Sequence, residues 1–209
     1  MHDAGTKHDA STMHDAGIVD GRTARGQRTR SSVVDALLAL LEEGDLSPTA
    51  QQVAARAGVA LRTVFGHFSD METLWAQAGQ RELDKLGALA APVDPALPLP
   101  ERVVAFGTSR ARVLEALLPV MRAARLREPT SPQLMENRRV FIAAGDAEVQ
   151  VVFGPELDGL DPTGRARCLD ALYLASSGPA WEALRHDRGL SPEQAAGVLC
   201  ASVAAVLAR

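Results

Sequence analysis

The apolar positions of residues 30–45 repeat with the spacing of an amphipathic helix. Val33, Leu37, Leu40 and Leu41 follow the i, i+4, i+7, i+8 pattern of one buried helix face. Gly44 follows them, and glycine is the usual residue just past a helix end. The pattern therefore predicts a helix that ends near Gly44.

Two short helices joined by a glycine turn are predicted next. Thr49 with Gln52 has the spacing of a capping box and opens a helix over about 50–57. Gly58 lies where a tight turn between helices needs a positive φ, and a second short helix covers about 60–67. Two short helices behind a longer first helix are typical of a helix-turn-helix.

Proline marks the remaining boundaries. Ser69 with Glu72 predicts a capping box that opens a helix to about residue 90, and four prolines in 91–100 predict a connector. Pro119 is predicted to open a helix near 118–127, and Gly178-Pro179 to break the helix that begins at 162. Three further helix starts are predicted by a cap residue followed by proline: Ser131-Pro132, Asp161-Pro162 and Ser191-Pro192, the last with Gln194 as a capping box. No run alternates like a strand, so the sequence predicts an all-α protein of about nine helices.

Charge changes this picture only locally. The 209 residues contain 22 Lys and Arg against 26 Asp and Glu, a net charge of −4, which excludes a uniformly basic nucleic-acid protein but not a basic patch. Residues 22–30 hold four arginines and no acid, and we interpret them as a basic arm. The two cysteines, Cys168 and Cys200, have neither the number nor the spacing of a disulfide framework or a zinc site.

The first 21 residues contain a repeat, because His-Asp-Ala recurs at 2–4, 8–10 and 14–16. The segment is polar, and we expect a disordered acidic tail, with a start at Met13 or a metal-binding tract as the alternatives. It lacks the apolar core of a signal peptide, and no stretch of the chain approaches the roughly 20 apolar residues of a membrane span. We expect a soluble, cytoplasmic protein that needs no cofactor and does not bind membranes.

The region 28–74 resembles the TetR family of transcriptional regulators. The resemblance rests on twelve positions at the family's spacing: Thr49, Val53, Ala54, Ala57, Gly58, Val59, Thr63, Val64, His67, Phe68, Glu72 and Leu74. It implies a three-helix DNA-binding domain over residues 22–74, with its basic arm, and a ligand-binding and dimerisation domain over 75–209. Three positions depart from the family pattern, because Ala60 replaces Ser, Phe65 replaces Tyr and Met71 replaces Lys.

The DNA-binding candidates lie in the arm and the two short helices. Arg62 either binds a guanine edge in the major groove or is a solvated surface arginine. Thr49 either caps its helix alone or also binds phosphate, whereas Phe65 and Phe68 are expected to form the small domain core. The whole set comprises Arg25, Arg28, Thr49, Gln51, Ala60, Leu61, Arg62, Thr63, Phe65 and His67.

The second domain should bury a core of its own, and a bundle interior of this kind can hold a small apolar ligand. The candidate lining residues are Phe106, Arg110, Met121, Arg125, Met135, Phe141, Tyr173 and Trp181. Ordinary core packing explains most of these residues equally well. Surface ion pairs are the alternative explanation for Arg110, Arg122 and Arg125.

The last two helices are predicted to form a homodimer interface, because the final one is apolar nearly all round. The candidate residues are Leu169, Leu172, Tyr173, Ser176, Leu199, Val203 and Val206. A dimer is also what a helix-turn-helix needs to bind two half-sites of a double-stranded operator.

Three hypotheses follow from the sequence. The first is a DNA-binding regulator, a repressor released from its operator by a small apolar ligand. The second is a helical binding or interaction protein of the same fold that has lost operator recognition, which Ala60, Phe65 and Met71 motivate. The third, an enzyme, has no support from nucleophile or metal-ligand spacing outside the tail, and we expect none.

Overall fold

The computed structural model describes residues 12–208, without the side chains of 12–20 and 22. Ten α-helices and no strand occupy these residues, which confirms the all-α class. A 3₁₀ turn covers Glu128–Thr130 and a π turn Ala183–Asp187. The α-helices are α1 (Thr12–Glu42), α2 (Ala50–Ala57), α3 (Leu61–His67), α4 (Met71–Leu89), α5 (Leu99–Arg125), α6 (Pro132–Val152), α7 (Gly154–Asp158), α8 (Pro162–Ala175), α9 (Gly178–Glu182) and α10 (Pro192–Leu207).

Most of the local boundary signals act as predicted. Thr49 and Gln52 form both bonds of a capping box at the start of α2, and Ser191 and Gln194 do the same at α10. Gly58 ends α2 with φ +68°, a left-handed conformation that side chains with a Cβ disfavour. The helix-turn-helix follows from this turn. The break predicted at Gly178-Pro179 also occurs, because α8 ends at Ala175 and α9 begins at Gly178.

Two predicted helix starts are wrong. Asp70, not Ser69, caps α4, because the Asp70 carboxylate accepts hydrogen bonds from the Thr73 amide at 2.7 Å and the Thr73 hydroxyl at 2.8 Å. Pro119 lies inside α5 rather than at a helix start. A proline in a helix interior costs about 3 kcal/mol, and the buried residues on both sides of it, Leu118 and Ala123, offset that cost by packing into separate cores.

The first helix is longer than predicted. It begins at Thr12, inside the segment predicted as a disordered tail, and it includes the arm 22–30. Helix growth adds one hydrogen bond per residue once a first turn exists, so the amphipathic part near Val33 can extend into a polar sequence. Residues 1–11, with two copies of the repeat, lie outside the described residues.

The N-terminal core joins α1 to α4 and reaches beyond them. Val33, Leu37 and Phe68 are among its fully buried side chains. Ala123 from α5 and Leu134 from α6 belong to the same core. The boundary predicted at residue 74 falls inside α4, and the N-terminal core continues past it through Trp75 and Ala78. The two regions therefore share packed side chains instead of meeting at a linker.

The C-terminal core fills the space between α5, α6, α8 and α10. Its largest side chains include Phe106 and Phe153, whose rings meet edge to face at 5.3 Å, and Trp181. Helices α5 and α10 approach closely at Gly107, where a Cβ would lie 2.2 Å from the Cys200 sulfur. This close crossing determines which face of α10 is covered by its own chain.

Partly buried ion pairs link the C-terminal helices. Arg102 binds the Glu156 carboxylate through two nitrogens, at 2.6 and 2.8 Å. The Arg185 guanidinium binds Glu115 in the same way at 2.8 Å, and the Trp181 indole N–H donates to Glu115 at 2.9 Å. The hydrogen bonds from Arg102 and Arg185 lower the pKa values of Glu156 and Glu115. Both carboxylates are therefore stabilised in their charged form.

Candidate nucleic-acid interface and cavity

Helix α3 presents one buried and one exposed face. Val64 and Phe68, four residues apart, are buried in the N-terminal core. Leu61 and Phe65 are 38% and 47% exposed on the other side, and Arg62 is exposed beside them. A short helix that exposes two apolar side chains and an arginine offers contacts to both thymine methyl groups and guanine edges.

The exposed face of α3 lies in a stretch without acidic residues. Residues 46–69 contain Arg56, Arg62 and His67 and no Asp or Glu. Arg56 is already paired with Glu43 of α1, at 2.6 Å between Nη2 and Oε1. The Arg62 guanidinium is therefore the strong cation that this stretch presents without a described ion-pair partner.

The other predicted contact residues surround this face. Thr49, Gln51 and Ala60 are exposed, whereas Thr63 and His67 are half-buried. Thr49 caps α2, because its hydroxyl accepts a hydrogen bond from the Gln52 backbone N–H at 3.3 Å and donates to the Gln52 side-chain oxygen at 2.7 Å, which satisfies the capping interpretation without any ligand. Ala60 precedes α3 without a side-chain cap, as its methyl group requires.

An arginine that sequence reasoning did not single out joins the arm to α3. The Arg30 guanidinium donates to the His67 carbonyl and lies 4.4 Å from the centre of the Phe68 ring. Arg25 and Arg28 are exposed on the preceding turns of α1. Arg30 therefore holds the helical arm beside the end of α3, and the other two arginines are left at the surface next to it.

Two of the three departures from the family pattern have a structural explanation. Phe65 was predicted to be core and is instead exposed, because Val64 and Phe68 already occupy the inward positions of α3. Met71, at the first position of α4, is half-buried and packs against the N-terminal core. It supplies apolar packing where a lysine would supply charge.

A cavity of about 120 Å³ lies between α4, α5, α6 and the segment 173–179. Apolar side chains from three helices form most of its wall: Leu83, Leu117, Val120, Met121, Leu134, Phe141, Ile142 and Val149. Leu134 also belongs to the N-terminal core, and Val120 packs against it. A molecule in this cavity would therefore touch side chains that also belong to, or pack on, the N-terminal core.

Five of the eight predicted lining residues are found in the cavity wall: Arg110, Met121, Arg125, Phe141 and Tyr173. Phe106 and Trp181 are instead buried in the C-terminal core, and Met135 is 41% exposed on the outside of α6. A helical repeat shows that a residue shares an apolar face, but not whether that face meets a cavity or packed atoms. The missed lining residues include Asn137, Arg138 and Gly145.

Most charges of the wall are paired. Arg125 binds Glu182 at 3.0 Å, Arg138 binds Glu128 at 2.8 Å, and Lys85 binds the buried Glu82 at 2.6 Å. Arg122 shares Glu182 with Arg125, at 3.1 Å. Arg122 and Arg125 were predicted to be surface ion pairs or ligand contacts, and their described partner fits the first interpretation.

Arg110 is the most buried charge of the wall, with 7% of its surface exposed. Its Nη2 atom donates to Glu148 at 2.8 Å and, more weakly, to the Gly145 carbonyl at 3.4 Å. Its buried Nε atom has no hydrogen-bond partner among the described residues. Desolvation lowers the pKa of Arg110 and raises that of Glu148, so burial weakens the charged form of both partners.

The predicted dimer residues mostly face inward. Leu172, Ser176, Leu199 and Val203 are buried in the chain's own C-terminal region. Leu169 and Val206 pack partly on the same core, and Tyr173 lines the cavity. The reason is the crossing of α5 and α10 at Gly107, which turns this stripe of α10 toward α5.

The outer side of α10 remains apolar, whereas that of α8 exposes Arg167 and Asp170 beside one large apolar residue. Helix α8 exposes 67% of Leu174, and α10 exposes Val198, Ala201 and Ala205. We call these four residues the α8/α10 face. The two helices pack against each other, so the face is carried by a rigid pair of helices.

Membrane and metal sites were sought in the same described residues. None of the helices there combines the length and the apolar character needed to cross a membrane. The described side chains also contain no cluster of three or more His, Cys, Asp or Glu that would hold a metal ion. The His-Asp-Ala repeat lies outside the side chains that this search covers.

Known structures support the architecture. A transcriptional regulator from Rhodococcus sp. Rha1 superposes with a TM-score of 0.67 at 23% identity, over 88% of this chain and 96% of that one. A protein described as a TetR-family transcriptional regulator from Mesorhizobium loti MAFF303099 gives 0.63 at 19% identity, over 88% and 97%. The chain has the TetR-like fold. The multidrug binding protein EbrR, complexed with imidazole, shares the TetR-like architecture less closely, with a TM-score of 0.50 at 22% identity over 83% and 88% of the two chains.

Sequence comparison adds no closer relative. No protein-family model matches the chain, and no curated protein matches it. Among the comparisons, the likeness is therefore one of TetR-like structure at identities between 18% and 23%.

Proposed function

We propose that this TetR-like protein is a DNA-binding transcriptional regulator that a small apolar ligand releases from its operator. The observation that carries the proposal is the exposed face of α3, where Leu61, Arg62 and Phe65 project from a helix-turn-helix in an acid-free stretch. Two large apolar side chains exposed four residues apart beside an arginine form a patch that suits contact with a partner. In a major groove, they would contact thymine methyl groups and sugars.

A dimer completes the interface in this proposal. One α3 helix reads only a few base pairs, and a two-fold dimer places two such helices on half-sites about one turn of DNA apart. The α8/α10 face suits such a contact because it is apolar, built largely of small residues and carried by packed helices. Arg25 and Arg28 then follow the DNA backbone from the helical arm.

The ligand acts through the position of the cavity. Leu134 faces both the cavity and the N-terminal core, and Val120 lines the one and packs on the other. A ligand that fits the cavity best when α5 and α6 are slightly displaced would also move the side chains under α4. Release from DNA then requires only that the ligand bind the displaced state more tightly than the DNA-bound state.

Selection from a randomised duplex pool at two salt concentrations tests DNA recognition. We expect a palindrome whose half-sites are separated by about one helical turn. The Arg62→Ala and Leu61→Ser double variant keeps both buried positions of α3 and should select no palindrome. If the unaltered protein enriches no sequence at either salt concentration, with or without candidate ligands, operator recognition is excluded.

A further inference from the structure

The cavity wall contains one charged side chain with unused hydrogen-bonding capacity. The Arg110 guanidinium gives both of its described hydrogen bonds from Nη2, and its buried Nε has no acceptor among the described residues. A guanidinium carries five N–H donors. Nε is closed to any molecule in the cavity, so the donors left for a ligand are those of Nη1, from which no hydrogen bond is described. The other arginines of this wall, Arg125 and Arg138, each have a carboxylate partner.

The absence of a side chain at Gly145 leaves space for the Arg110 guanidinium. A Cβ at Gly145 would lie 3.0 Å from Nη2 and 3.1 Å from Nη1 of Arg110, closer than side chains normally approach. The Arg110 guanidinium also lies 5.4 Å from the centre of the Phe106 ring. The sequence therefore makes room for a cation against helix α6, inside a wall that is otherwise mostly apolar.

The charge of Arg110 is already balanced. Glu148 forms its ion pair at 2.8 Å, and Asp146, which lines the cavity, adds a second favourable Coulomb interaction. An anionic ligand would meet the Asp146 carboxylate in the wall and a guanidinium that is already paired with Glu148, and a cationic ligand would meet the guanidinium. What Arg110 lacks is an acceptor atom and not a negative charge.

From these contacts we infer that the cavity binds an uncharged, largely apolar molecule that carries one acceptor oxygen of the carbonyl type, as in a ketone, ester or amide, and that this oxygen binds the Arg110 guanidinium. The size follows from the volume, because a cavity of about 150 Å³ in another protein holds benzene, and this one measures about 120 Å³. A single six-membered ring is the matching size. The inference rests on the proposed function and names the chemistry of its ligand.

A set of ring compounds of equal size tests the inference on the unaltered protein by calorimetry. Cyclohexanone has the acceptor oxygen, and methylenecyclohexane has the same shape without it. Cyclohexanecarboxylate and cyclohexylammonium add the two charges. We expect cyclohexanone to bind at least about tenfold more tightly than each of the other three, because a hydrogen bond to a charged donor contributes that much. Equal affinities for cyclohexanone and methylenecyclohexane, or tighter binding of either charged ring, would overturn the inference.

Two variants assign the preference to Arg110. Arg110→Met should reduce the preference for cyclohexanone over methylenecyclohexane to within about twofold. Glu148→Gln keeps the guanidinium and remains informative if Arg110→Met does not fold. It should raise the affinity for cyclohexanecarboxylate about tenfold, because one opposing carboxylate is removed. An unchanged preference in Arg110→Met, or an unchanged carboxylate affinity in Glu148→Gln, would contradict the assignment.

Failure of this inference differs from failure of the proposed function. If no ring compound binds and the duplex selection still yields a palindrome, the ligand chemistry is wrong and the regulator stands. If cyclohexanone binds through Arg110 and no palindrome is selected, the ligand chemistry stands and DNA recognition fails.

Discussion

At the scale of single residues, Arg62 is the side chain on which base recognition should depend. It is exposed next to Leu61 on α3 and has no described ion-pair partner. Arg62→Ala should weaken binding to the selected operator by about 1–3 kcal/mol and relax the preference at one base position, because a bidentate contact to guanine is lost. Fluorescence anisotropy with the operator and its single-base variants measures both effects.

The matched control is Arg139→Ala. Arg139 is equally exposed, lies on α6 and is paired only with Glu136 one turn away. This variant should leave the affinity unchanged. An Arg62→Ala variant that loses the same affinity for every sequence would identify a phosphate contact and contradict base recognition by this residue.

Glu156 should contribute acid sensitivity. The Arg102 guanidinium lowers the pKa of the Glu156 carboxyl, so its stabilising effect is complete above the usual carboxyl pKa and is lost as the pH falls through the lowered value. Glu156→Gln should reduce the free energy of unfolding at pH 7 by about 2 kcal/mol, since it leaves the buried Arg102 without its counter-charge. Urea unfolding between pH 7 and pH 3 should show this difference shrinking with acidity. Glu136→Gln, at an exposed pair, is the control, and a difference that stays constant with pH would contradict the linkage.

At the scale of elements, the turn between α2 and α3 depends on one backbone conformation. Gly58 has φ +68°, whereas Gly87 is an exposed helical residue of α4 with open space around its Cα. Gly58→Ala should lower the free energy of unfolding by about 1 kcal/mol, and Gly87→Ala should raise it by about 0.4–1 kcal/mol. Urea denaturation compares the two identical chemical changes. Shifts of the same sign would show that backbone conformation is not the cause.

Arg127 joins the two regions of the chain. Its guanidinium lies 4.0 Å from the centre of the Trp75 ring and donates to the Leu46 carbonyl at 3.1 Å and the Ser47 hydroxyl at 3.0 Å. Arg127→Met should lower the free energy of unfolding by about 2 kcal/mol and speed hydrogen exchange between α1 and α2. Arg112→Met is the control, because this exposed arginine makes only a 3.5 Å bond to the Leu89 carbonyl. Equal exchange rates in both variants would deny Arg127 this role.

Local elements could be predicted from the sequence because their causes are local. Thr49 and Gln52 are three residues apart, and the Gly58 turn is decided by the residue that has no Cβ. The orientation of α10 could not be predicted in this way. A helix that is apolar nearly all round has no single buried stripe, and the crossing at Gly107 of a distant helix decides which side is covered.

The candidate site was predicted in the same uneven way. The exposed positions of α3 could be assigned from a known spacing, although an exposed Phe65 has the same sequence signal as a buried one. The cavity is formed where α4, α5, α6 and the segment 173–179 meet. Local sequence patterns do not indicate which distant segments meet. Arg127 binds Leu46 and Ser47, which lie 81 and 80 positions earlier in the chain. No sequence pattern indicates these bonds.

At the scale of the whole molecule, association should depend on the α8/α10 face. Ala201→Glu would place a charge in the centre of an apolar contact, and we expect the dimer dissociation constant to rise at least about a hundredfold. Sedimentation velocity measures the change, and operator affinity should fall with it. Val151→Glu, at a 62% exposed position of α6, is the control and should leave the dimer intact. A protein that is monomeric before any substitution, or a dimer unaffected by Ala201→Glu, would contradict this interface.

The shared core has a consequence for building chimaeras. Ala123 and Leu134 complete the packing of helices that end before residue 90, although the prolines that follow suggest a natural cutting point. An N-terminal fragment cut at that connector and joined to another protein would expose the apolar side chains that Ala123 and Leu134 cover in this chain. A stable chimaera must also include the end of α5 and the start of α6, or replace the exposed apolar side chains with polar ones. Under the proposed function, specificity for DNA and response to a ligand would thus be inherited together rather than exchanged as separate modules.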